Sequence, residues 1–127
     1  MSVGMPADLY LEAFGHQIWA AFGHTAYHVG SSVLNKQWRD VDVRLILPDE
    51  EYARLELGEP ENPHYNERWV SLVLAYSALG KSMTGLTIDF QIQQQSYANE
   101  HYSGVRSALG IITRVQGQER YKQKEAG

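Results

Sequence analysis

Asp40 and Asp42 stand one residue apart at the head of an apolar run, Val43-Arg44-Leu45-Ile46-Leu47, and follow a Gly30-Ser31-Ser32 turn. Carboxylates at that spacing share one face of an extended strand, because successive side chains point to opposite sides. Like charges held that close repel and raise one another's pKa, a conflict that a divalent cation removes. A third acid, Asp89, interrupts a β-prone run from Leu86 to Ile92, where aspartate is disfavoured. Magnesium suits such a set: it takes oxygen ligands in near-octahedral geometry and is commonly shared between one or two carboxylates and substrate phosphates. Asp40 and Asp42 would hold one ion. With Asp89 from an adjacent strand, a second Mg2+ fits about 3.5–4 Å away and completes the clamp on attacking and leaving oxygens during in-line displacement at phosphorus.

The rest of a phosphate site is present as well. Gly30 lets the backbone approach a phosphate closely, while Ser31 and Ser32 bring hydroxyls and the N–H groups of a following helical turn. Read alone, the glycine and serines are equally a strand-to-helix turn with a serine N-cap. Beside the aspartates, phosphate binding leads. Arg44, next along the acidic face, either binds phosphate or pairs with an aspartate and opposes the metal.

These residues need strands and helices to hold them. Thr25 to Val29 is short, β-branched and aromatic, and reads as a strand delivering the chain to Gly30. Ser31 to Gln37 accommodates one or two helical turns. Asp40 to Leu47 alternates as a second strand ended by Pro48, with Asp40, Asp42 and Arg44 on one face and Val41, Val43, Leu45 and Leu47 on the core face. Before them, Leu11, Phe14, Ile18 and Ala21 recur at helical spacing up to a stop at Gly23. After them, Pro48-Asp49-Glu50-Glu51 opens a short helix to about Leu55, its acids serving the exposed amides of the first turn. Residues 58–63 have loop composition. Trp69, Leu72, Tyr76 and Leu79 mark a strong helix closed by Gly80, and Leu86 to Ile92 alternates as a strand that turns Thr87, Asp89 and Gln91 away from the core. From Gln93 the pattern is ambiguous, Val105 to Val115 holds a short element, and Gly117 to Gly127 reads as a charged tail.

At 127 residues the chain fits one domain, expected over 1–116 with the tail at 117–127. Hydrophobic residues at 43% and charged residues at 20% are a globular balance rather than a disordered one. There is no cysteine, so a metal must be held by oxygen or imidazole. No stretch approaches a membrane span and Met1 to Met5 lacks the start of a signal peptide, which makes the cytoplasm the expected location and a membrane role unexpected. A net charge of −4 disfavours a domain that coats duplex nucleic acid, and a small nucleotide suits it better. The five histidines lie without ligand spacing and read as surface or packing residues. Lys36, Lys81 and Arg106 are weak candidates for reaching a triphosphate, and Trp19, Trp69 and Tyr76 fit core packing better than base stacking.

Taken together, Val29-Gly30-Ser31, Asp40-Val41-Asp42-Val43 and Ile88-Asp89-Phe90 resemble the glycine-serine, paired-aspartate and third-aspartate motifs of the DNA polymerase beta-like nucleotidyltransferase superfamily. The resemblance covers the stretch from the first helix to Ile92. It implies an α+β chain with a mixed β-sheet flanked by helices, a minimal nucleotidyltransferase fold. It also implies Mg2+-dependent, ATP-type chemistry: a nucleoside monophosphate moves from a nucleoside triphosphate to a hydroxyl. Gly30, Ser31 and Ser32 would then hold triphosphate, with Asp40, Asp42 and Asp89 binding metal or activating the acceptor. The acceptor is open, and a protein partner or a second copy of the chain could complete its pocket. The competing expectation is a non-catalytic nucleotide-binding or antitoxin-like interaction protein with the same fold, favoured by Arg44 and the small size.

Overall fold

Alternation writes the sheet. In the computed structural model, which describes residues 7–30 and 40–111, Asp40–Leu47 forms strand β2 with Val41, Val43, Leu45 and Leu47 fully buried and the intervening side chains on the other face. Ala26–Val29 forms β1 and Thr87–Gln94 forms β3, whose Ile88, Phe90 and Ile92 join the same core. A short β4, Arg106–Ala108, completes a four-stranded mixed sheet in the order β3-β2-β1-β4. β2 is antiparallel to β1 and parallel to β3, and β1 is antiparallel to β4.

Two long helices cover the core face. Helix α1 (Ala7–Phe22) buries Leu11, Phe14 and Ile18, while Ala21 lies outside the buried stripe. Helix α3 (Glu67–Thr84) begins at Asn66, whose side chain accepts a hydrogen bond from the Trp69 N–H at 2.9 Å. Phe14 meets Phe90 edge-on at 6.4 Å between ring centroids, and Tyr76 packs on Phe90 at 5.4 Å. Two short helices, α2 (Asp49–Arg54) and α4 (Gln95–His101), are joined where Asp49 accepts hydrogen bonds from the Ser96 N–H and hydroxyl. Two acids of α2 are thus structural: Asp49 holds α4, and Glu51 pairs with Arg54.

Three local expectations differ from what is found. Helix α3 runs through Gly80 and ends one turn later, at Gly85 with φ of 75°. Gly80 is a packing residue rather than a stop: a Cβ there would come 2.9 Å from Ile88 Cγ1 and 3.0 Å from Phe14 Cζ. The loop around residue 63 contains a turn of 3-10 helix, Pro63–Tyr65, and the polar stretch from Gln93 continues β3 by two residues, to Gln94, and then forms α4. The helical turns expected after Gly30, the end of the element expected over 105–115 and the tail beyond Gly117 lie outside the described residues. Among those described, no helix is long and apolar enough to cross a membrane.

Candidate functional site

The parallel pairing of β2 with β3 sets Asp42 directly against Asp89. Both lie on the face away from the core, so their carboxylates are nearest neighbours across strands about 4.8 Å apart. Asp40 pairs with Thr87 one step nearer the strand mouth, exposed on the same face. Gly30 closes β1 beside them, at a φ of 84° that favours glycine. A Cβ at Gly30 would stand 2.7 Å from Asp42 Oδ2, so a side chain there would push this carboxylate aside.

Arg44 is drawn into the same cluster. Its guanidinium donates to the Asp89 carbonyl at 2.6 Å, the Asp89 carboxylate at 3.2 Å and the Val43 carbonyl at 3.1 Å, with Asp42 Oδ1 at 3.9 Å. Its side chain is only 14% exposed, so its charge is weakly screened. Of the two roles open to Arg44 in the sequence, pairing with an aspartate is the one observed here. Even so, burial pushes the Asp42 pKa above the ordinary carboxylate range. Arg44 opposes that shift, and the charges of Asp89 and Asp40, with a hydrogen bond to Asp89, add to it.

Beyond the acids opens a cleft of about 430 Å3, lined by Val29, Gly30, Arg44, Ile46, Gln91 and Gln93 on the sheet and by Tyr102, Gly104, Val105 and Arg106. Arg106 is a second guanidinium facing this space and ties its own wall together, donating to Asn99 Oδ1 and to the Tyr102 carbonyl, both at 3.0 Å. Two arginines in one small cleft suit an anionic ligand.

Of the residues singled out in the sequence, Gly30, Asp42, Asp89 and Arg44 are brought together, and Asp40 flanks them. Ser31, Ser32 and Lys36 lie outside the described residues, and Lys81 sits exposed in the last turns of α3. Among the described residues no group of three His, Asp or Glu side chains is gathered to hold a metal ion. The donor set is therefore a facing pair of carboxylates. That pair fits magnesium, which takes one or two carboxylates and fills its shell with water and phosphate oxygens. His28 is buried on the core face of β1, and burial lowers its pKa, so it packs as a neutral ring. Trp69 is core as expected, its indole N–H donating to the Ile92 carbonyl at 2.8 Å.

Sequence reasoning missed the wall of the cleft. Gln91 was already assigned to the face of Asp89, and extending the alternation by two residues would have added Gln93. Tyr102, Gly104 and Val105 carry no periodic signal. Comparison with known proteins adds no relative: no family model, no curated protein and no solved structure matches the chain.

Proposed function

We propose that the chain is a metal-dependent nucleotidyltransferase that moves a nucleoside monophosphate from a nucleoside triphosphate to a hydroxyl acceptor. The observation that carries this reading is the in-register pairing of Asp42 with Asp89 beside Gly30, whose positive φ favours glycine. The adjoining cleft, with Arg44 and Arg106 on its walls, supports it. Asp42 and Asp89 would hold Mg2+, with Asp40 at the entrance, and the ion would neutralise charge on the phosphates and polarise them toward attack. The chain's own residues do the rest. Gly30 leaves room for the Asp42 carboxylate against the backbone, and Arg44 and Arg106 line the cleft that would take the triphosphate. The acceptor oxygen bonds to the α-phosphorus as the bond to the β-bridging oxygen breaks. Pyrophosphate leaves with that electron pair, and an Asp89 carboxylate oxygen takes the hydroxyl proton. Such catalysis is mainly positioning and electrostatics, which a small domain can supply.

Pyrophosphate release from triphosphates with magnesium tests the reading. Asp42→Asn and Asp89→Asn should each lower it at least about a hundredfold, the scale typical of losing one preorganised electrostatic contact. Their circular dichroism should be unchanged. Release that survives both substitutions would remove the assignment.

One observation favours a second reading, the non-catalytic binding protein. Arg44 already gives Asp89 a cationic partner at 3.2 Å. Binding of a triphosphate without pyrophosphate release would select that reading.

A further inference from the structure

A second cleft, of about 310 Å3, lies where β3 meets the 3-10 turn and α4, and it shares Gln91, Gln93 and Tyr102 with the first. Its character is different. No arginine or lysine lines it, its one charged side chain is Glu61, and His64, Trp69, Tyr97 and Tyr102 bring four rings to it from three separate segments. The rings are held: Tyr97 packs on His101 at 4.2 Å and meets Tyr102 edge-on at 6.1 Å, and His64 packs on Tyr65 at 4.3 Å. Between the two clefts, the carboxamides of Gln91 and Gln93 are half-buried and have no hydrogen-bond partner among the described residues. Each offers a paired donor and acceptor.

A ligand that uses all of this is a planar heterocycle with donors and acceptors on its edge. It would gain a stacking face from tyrosine and edge contacts from the amides. Spacing agrees. At roughly 3.3 Å per residue, β3 covers about 13 Å between Asp89 and Gln93, close to the reach of an extended nucleotide from phosphates to base.

We propose that this second cleft is a nucleobase subsite: Tyr97 stacks on the heterocycle of the nucleotide, Tyr102 meets that ring edge-on, and Gln91 and Gln93 read its edge. The assignment rests on the nucleotidyl-transfer reading, which puts the phosphates of the same molecule beside Asp42 and Asp89. The ribose then bridges the clefts at Tyr102.

Two probes separate the halves. Adenosine carries the ring without phosphates, and magnesium tripolyphosphate carries the phosphates without a ring. In an NMR titration of the whole chain, adenosine should shift the side-chain amide resonances of Gln91 and Gln93. Tyr97→Leu should weaken adenosine about tenfold, the worth of one stacking contact. The exposed His64→Ala, which leaves the α4 packing untouched, should weaken it severalfold. Neither substitution should change tripolyphosphate binding, since neither residue lines the first cleft. Adenosine that fails to bind, or that binds both variants as well as it binds the parent chain, overturns the subsite. Adenosine binding that falls in the variants while tripolyphosphate never binds keeps the ring site and removes the phosphate site instead.

Discussion

Arg44 and Asp42 are in tension. The guanidinium supplies positive charge where two carboxylates face each other, yet it also occupies donors that a metal would need. At an effective dielectric between that of a protein surface and that of water, a unit charge about 4 Å away is worth roughly 1–4 kcal/mol. Arg44→Gln should therefore raise affinity for magnesium or manganese at least about tenfold, read by calorimetry without nucleotide. Unchanged metal affinity would mean that the carboxylates are not the ligands. Asp42 gives a second expectation. Its folded pKa lies above the unfolded value, so the native state prefers the protonated form. Stability contributed by this group is full below the unfolded value, near pH 3.9, and is lost as pH rises through the folded pKa. Asp42→Asn should thus melt higher than the parent chain at pH 7 without metal, and the gap should close in acid. Paired melting curves across pH check the sign.

Among the elements, β3 is an edge strand whose open groups need cover. Helix α3 provides it: Ser77 Oγ accepts from the Phe90 N–H at 3.0 Å, and the Trp69 indole donates to the Ile92 carbonyl. Gly80 lets the helix come close enough. Gly80→Ala should cost about 1–3 kcal/mol, because the new methyl meets Ile88 and Phe14 in a packed core. Urea unfolding would measure it, and a neutral result would mean that the helix can move outward. Asp49→Ala should release α4, seen as faster amide exchange over residues 96–102 and weaker adenosine binding. What the sequence made legible follows from the same physics. Alternation fixed the faces of β2 and β3, because one side must be buried and a slip of one residue would expose it. It could not mark Gly80 as interior, since a glycine that ends a helix and one that lets a helix approach a strand look alike in sequence. Nor could it find α4, whose short polar stretch is stabilised by the distant Asp49. The faces of Asp42 and Asp89 were readable, but their alignment was not, because register between strands separated by a long helix is a tertiary fact.

For the whole molecule, the sheet divides two tasks. One face and two helices hold the core, and the other face carries the acids, Arg44 and the first cleft, while the second cleft opens at the edge of β3. Stability and binding are therefore joined through the charged face. A ligand that binds only the folded chain stabilises it by mass action, about 2.7 kcal/mol at a hundred times its dissociation constant. For a domain of this size that corresponds to a rise in melting temperature on the order of 10 °C. Magnesium with a non-hydrolysable triphosphate should produce such a rise. Magnesium alone should give less, because Arg44 already satisfies Asp89 and no phosphate oxygens complete the shell. In Asp42→Asn the combined effect should collapse toward that of the nucleotide alone, although the unliganded variant starts from a higher midpoint. Those opposite movements, a rise in intrinsic stability and a fall in the liganded increment from one substitution, are what separate a metal-ligating carboxylate from one that only pairs with Arg44. A carboxylate of the second kind would lower the unliganded midpoint when replaced and leave the magnesium increment intact.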